Sequence, residues 1–162
     1  MNLESAVQTA WQANLKVNQV LLEHLTPEML QARTPGGGYS VGQHLAHIVG
    51  VTKYRGTQLD EGLKTLPDLF TLREDLDEED PEAVVPETDL ARIKNVLTQT
   101  AAAVQEAVSK GDTGNSPYPS ADAYLIHMMV HDAHHRGQTL LALKTSGYSL
   151  PDEDAMWQPW KE

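Results

Sequence analysis

Three clusters of proline and glycine divide this chain, at Thr34-Pro35-Gly36-Gly37-Gly38, at Pro81 to Pro86 and at Gly111 to Pro119. Such clusters stop regular hydrogen bonding, so any helix must lie between them. The intervening segments are long and carry apolar residues at three- and four-residue steps, the spacing of one helix face. The first, about 3–25, has Leu3, Val7, Trp11, Val17, Leu21 and Leu25. Thr26-Pro27-Glu28 then reads as an N-cap with proline in the first position of a short extra helix. Ser40-Val41-Gly42-Gln43 fits a capping box and opens a second long helix with the stripe Val41, Leu45, Ile48, Thr52 and Leu59. A third spans about 88–109, with Leu90, Ile93, Leu97, Val104 and Val108 inward. Ser120 caps a fourth that runs to about 145, closed by Lys144 and Gly147. No segment alternates as a strand would. The expectation is an all-α, up-down antiparallel four-helix bundle, one domain over 1–162, with essentially no sheet. The acidic stretch Glu74 to Glu82 reads as a solvated loop on the long connection between the second and third helices.

Composition narrows the function classes. The chain has no cysteine, which removes disulfides, thiolate metal ligands and a cysteine nucleophile, and suits a reducing cytosol. The opening residues Met1 to Gln12 have neither a basic nor an apolar signal region, and no apolar run spans a bilayer, so a cytoplasmic location is expected. The formal net charge of -11 repels phosphate backbones and anionic lipid, so neither nucleic acid nor membrane is an expected partner.

Histidine carries the chemistry. Of seven histidines, four fall within His127 to His135. At about 100° per residue, four positions advance roughly 40°, so His127, His131 and His135 stack on one face with His134 on its flank. Two imidazoles at i and i+4 can chelate one ion. An ordinary polar helix face would show the same spacing. Here, however, the face leads into Tyr124 and Leu141, which implies partial burial, and burying several imidazoles without a partner is costly. The second helix adds His44 and His47. Helical phase places His44 nearer the apolar stripe, so periodicity alone prefers His44 over His47 as the inward ligand. Gly137 implies close approach of a neighbouring helix; Arg136 and Gln138 are open to ligand orientation, anion binding or plain solvation. His131-Asp132-Ala133-His134-His135 is not a zincin motif, since Asp132 is one methylene short and Gln138 stands where the downstream glycine belongs. Support of a ligand histidine by Asp132 is the better role.

Ser40-Val41-Gly42-Gln43-His44-Leu45-Ala46-His47-Ile48, followed by His131-Asp132-Ala133-His134-His135-Arg136-Gly137-Gln138, resembles the DinB/YfiT-like superfamily. The resemblance runs from the first helix to Gly147 and is most specific at the H-x-x-x-H-R-G-Q ending. It implies a four-helix bundle, often homodimeric, with one nickel or zinc ion on three histidines. Their positions correspond to His47, His131 and His135. It leaves His44 as a supporting or substrate-side residue and His127 as a core or supporting one. Relatives implied by the resemblance include bacillithiol S-transferases and mycothiol-dependent maleylpyruvate isomerases.

Three protein ligands leave a coordination position open, as in catalytic sites. With no thiol in the chain, any thiolate on the metal must come from a small-molecule substrate. The leading expectation is a metal-dependent transferase that joins a bacillithiol-like thiol to an electrophile. Metal-water hydrolysis, with Asp132 as the only candidate base, and a stress-linked metal-binding protein without turnover are the alternatives. Because ligand imidazoles must be neutral, metal affinity is expected to fall below about pH 6.5.

Overall fold

The computed structural model describes residues 3–77, 80–110 and 116–161, with the side chains of 3–5 and 81 outside that description. Four long helices form the body: α1 (Leu3–His24), α2 (Val41–Gly56), α3 (Leu90–Ser109) and α4 (Ala121–Thr145). A short α5 (Glu153–Trp157) follows, and 3-10 turns occur at Glu28–Gln31, Glu61–Thr65, Pro81–Ala83 and Gln158–Trp160. The expected lack of sheet is modified by one small antiparallel ribbon, β1 (Phe70–Leu72) against β2 (Val84–Pro86), with Thr71 opposite Val85. Each strand has only three residues, too short for an alternating pattern to show.

The helix starts follow from local chemistry. Ser40 accepts from the Gln43 backbone N–H at 3.2 Å, and Gln43 Oε1 accepts from the Ser40 N–H at 2.9 Å, completing the capping box. Gln43 Nε2 then donates to Val84 O at 3.1 Å, tying the start of α2 to β2. Gly42 gives a close approach here: a Cβ would sit 3.2 Å from Pro86 Cγ and 3.4 Å from Leu30 O. Ser120 caps α4 by accepting from Ala123 N–H at 3.1 Å. At the other end of α4, Gly147 takes φ +81, and Tyr148 N–H reaches Leu143 O at 3.0 Å, a Schellman closure.

Some boundaries shift. Asp89 caps α3 by accepting from Ala91 and Arg92, so that helix begins at Leu90 rather than at 88. The helix α2 stops at Gly56, which leaves Leu59 beyond it. The turn at Glu28 has Pro27 rather than Thr26 as the residue before it, and proline has no side-chain acceptor with which to cap it. Leu3 of the expected stripe lies among the undescribed side chains. Within the acidic loop, Glu74, Asp75, Asp77 and Glu82 are exposed between the two strands, while residues 78 and 79 lie outside the described residues, as do 111–115 of the third breaker.

Packing runs α1 against α4, α4 against α2, α2 against α3 and α3 against α1, closing a ring. The directions differ from simple alternation. His44 meets His135 while the Tyr124 hydroxyl meets Thr52 O, so α2 and α4 are antiparallel. Trp11 reaches Ala101 and Lys94 reaches Glu23, so α1 and α3 are antiparallel. Asn14 meets Asp132 while His24 meets Ser149 O, so α1 and α4 run parallel. The order is therefore up, down, down, up. The long connection over 57–89 allows it, since a chain that carries its own ribbon can return to the other end of the bundle before α3 begins.

The core has two apolar clusters, one around Leu21, Leu30, Leu45, Ile93 and Leu143, the other around Trp11, Val104, Tyr124, Leu125 and Met128. Between them along α1 and α4 lie the buried polar residues Asn14, Asn18, Asp132, His135, Arg136 and Thr139. Trp157 and Trp160 do not cover this core; they are 55% and 43% exposed. Among the described residues no helix is long and apolar enough to cross a membrane.

The capping box generates a direct test. Ser40→Ala removes one member of it and should lower stability by about 1 kcal/mol in urea denaturation. An unchanged midpoint would show that Gln43 alone suffices to start α2.

Candidate metal centre

The cap at Ser40 sets the phase of α2, and with it which way His44 and His47 leave the helix. Because α2 runs antiparallel to α4, the two histidines meet the α4 pair in crossed order. One nitrogen from each of His47, His131 and His135 falls within 4.8 Å of the others. The ring centroids of His47 and His135 are 4.6 Å apart, and those of His131 and His135 4.5 Å. His44, which helical phase alone favoured, is not in this group. Its Nδ1 lies 3.0 Å from Nδ1 of His135. One of these two nitrogens must donate and the other accept. If His135 is to offer Nε2 to an ion, its Nδ1 carries the hydrogen and His44 accepts it. In that arrangement His44 stands behind a ligand candidate and holds it as the Nδ1–H tautomer. Tyr39 packs its ring against both His44 and His47, at 5.6 and 5.5 Å.

The electrostatics suit a cation. Burial is the main cause that lowers the pKa of His135 to about 3 and of His44 to about 4, with neighbouring imidazoles adding to both. Burial also lowers His47, with His131 contributing. These rings are neutral near pH 7, with lone pairs available. Two buried polar atoms at the site, His131 Nδ1 and Asp132 Oδ1, have no hydrogen-bond partner. A divalent ion on neutral imidazoles fits this donor set, because it gives converging ring lone pairs a common partner.

Other sequence expectations land elsewhere. His127 is exposed, with Nδ1 2.6 Å from the Tyr118 hydroxyl, and is neither core nor support; it sits at the end of α4 where only the loop covers it. His134 is exposed and stacks edge-on against His135 at 4.9 Å. Leu141 is exposed on the outer side of α4, while Tyr124 is fully buried. Gly137 has nothing within 4 Å of a would-be Cβ, so no helix approaches it. It opens instead onto a groove shared with Val17, Leu140, Trp157 and Trp160. Gln138 lies outside the three-histidine group. Arg136 is not a solvated surface residue: it is buried and donates from Nη1 to Oδ1 of Asn14 at 2.7 Å and of Asn18 at 2.8 Å. Asp132 is buried too, its Oδ2 accepting from both asparagine amides at 2.7 and 3.0 Å.

The sequence reading missed Asn14 and Asn18, yet a signal existed. Val7, Trp11, Asn14, Asn18, Leu21 and Leu25 share one helical stripe, so two polar residues stand in core positions. It also missed a groove of about 560 Å³ that reaches His47 and is walled by Tyr39, Val51, Tyr54, Phe70 and Val84. An ion pair of Lys53 with Asp68, 2.8 Å long, lies on its lining.

The lowered imidazoles predict a pH response in metal-free protein. An unfolded imidazole takes up its proton near pH 6.5, the folded His44 only near 4 and His135 near 3. Between those values the unfolded chain binds more protons, so stability falls as pH drops. The urea midpoint of metal-free protein should hold above about pH 6.5 and decline from there to about 5, above the carboxylate range. A flat midpoint over that interval would mean the rings are not held neutral.

The sequence and the fold have parallels among known proteins. The family model described as "DinB family" matches residues 2–162. A crystal structure of a DinB-like protein from Bacillus cereus ATCC 10987 is similar over 91% of this chain and 95% of that one, with a TM-score of 0.64 at 19% identity. That likeness speaks for the fold. Among curated proteins none matches the sequence. With the model match covering nearly every residue, the chain belongs to the DinB family.

Proposed function

We propose that this protein is a metal-dependent transferase that joins a low-molecular-weight thiol to an electrophile. His47, His131 and His135 would hold one divalent ion, nickel or zinc. The observation that carries the reading is the convergence of these three imidazoles, from two helices, beside a groove of about 560 Å³. Three protein ligands leave room for an exogenous one, and the ion when bound supplies the charge that stabilises a thiolate at neutral pH. The chain has no cysteine to fill that role itself. The groove's walls of Val51, Phe70 and Val84 suit the apolar body of an electrophile, and the Tyr39 and Tyr54 rings border it.

Hydrolysis is less well supported. It needs a base facing the open side, and Asp132 has its Oδ2 occupied by Asn14 and Asn18 and is buried at 2% exposure. Self-association belongs to the same proposal: Ile126, Val130 and Leu141 leave apolar surface exposed along α4 of a single copy. Light scattering at micromolar concentration should report twice the 17.9 kDa chain mass.

The metal test uses elemental analysis. Wild-type protein should carry one nickel or zinc per chain. His47→Ala, His131→Ala and His135→Ala should each lose stoichiometric metal, while His44→Ala keeps it at reduced affinity. Full retention in both α4 variants would overturn the site. Loaded protein should then accelerate conjugation of bacillithiol, mycothiol or glutathione to a chromogenic haloarene. Bound metal without acceleration by any of the three would favour a metal-binding protein without turnover.

A further inference from the structure

Behind the three histidines lies an arrangement that the metal reading does not use. Asn14 and Asn18, one turn apart on α1, both donate their side-chain amides to the same oxygen of Asp132, Oδ2, at 2.7 and 3.0 Å. Both also turn their carbonyls to the same nitrogen of Arg136, Nη1, at 2.7 and 2.8 Å. A buried aspartate and a buried arginine are thus linked through two asparagines rather than by direct contact. This consumes the hydrogen-bonding capacity of Oδ2 and fixes the carboxylate plane. The other oxygen, Oδ1, is buried with no partner. His131 Nδ1, likewise buried with no partner, lies 3.8 Å from it. Two complementary orphans face each other across a gap that is about 1 Å too long for a hydrogen bond.

We propose that Asp132 is the positioning residue for His131. Resting on the metal reading above, the inference is that Oδ1 accepts the Nδ1–H of His131 when the ion binds. This selects the tautomer whose Nε2 lone pair points to the metal. Asn14, Asn18 and Arg136 hold the carboxylate so that only this oxygen is free. His135 has its own outer partner in His44, so the two α4 ligands are oriented by separate groups. A carboxylate behind a ligand imidazole raises its basicity and fixes its ring, and loss of such a partner costs about 10- to 100-fold in metal affinity.

Asp132→Asn discriminates sharply. Its Oδ must still face the Asn14 and Asn18 amides, which turns the new NH2 toward His131 and replaces an acceptor by a donor. Zinc affinity, measured by competition with a chromogenic chelator, should fall about 10- to 100-fold while circular dichroism stays helical. The unsubstituted protein supplies a second readout that needs no variant. In zinc-loaded wild type, long-range proton–nitrogen NMR should show His131 coordinated through Nε2 with a slowly exchanging Nδ1 proton. Coordination through Nδ1, or Asp132→Asn with wild-type affinity, overturns the inference. If His131→Ala loses zinc while Asp132→Asn does not, this inference alone fails. If wild-type protein binds no zinc or nickel, the metal reading fails and takes this inference with it.

Discussion

The clasp of Asn14 and Asn18 on Asp132 and Arg136 is the interaction on which the geometry depends. An isolated carboxylate or guanidinium in the core would cost several kcal/mol, so these two charges are tolerable only when their hydrogen bonds are met. Burial does lower the Arg136 pKa, and the nearby Asp132 charge works against that shift. The four residues sit at i and i+4 on each of two parallel helices, so the bonds form in only one register. Sliding α1 along α4 by a turn would leave at most one asparagine facing the two charges. Leucine in all four places would pack, but it would leave the rotation and height of α4 less strictly defined.

That fixed rotation is what brings the three histidines together. Once Asp132 and Arg136 face α1, His131 and His135 must face the neighbouring quadrant, which α2 occupies. The cap at Ser40 then determines which histidine of α2 arrives in the centre. Gln43 takes part twice, in the box and by its bond to Val84 O. It holds the helix start and the ribbon together at the place where Tyr39 covers His44 and His47.

The class of fold was legible because the long helices carry clear stripes and sharp caps: Ser40, Ser120 and Gly147 each do what their side chains or backbone dictate. Helix direction was not legible, since a stripe shows which face is buried but not which neighbour covers it. The short strands were hidden for want of length. At the site, the spacing of His131 and His135 was readable from helix geometry alone. Choosing between His44 and His47 was not, because both project toward α4 and the difference lies in how deep each sits. Gly137 misled for a related reason: the sequence shows a missing side chain but not whether a helix or open space takes its room.

The ribbon of β1 and β2 belongs to the 57–89 connection and lends Phe70 and Val84 to the groove, yet it contributes none of the three histidines. The groove wall therefore has two parts: α2, which carries His47 together with Val51 and Tyr54, and the ribbon, which carries no histidine of the group. Exchange of a few ribbon residues can reshape what the groove admits without disturbing the helix contacts that align the imidazoles. Such a division marks the ribbon as the part of the groove whose shape can drift or be redesigned while the spacing of the histidines stays as it is.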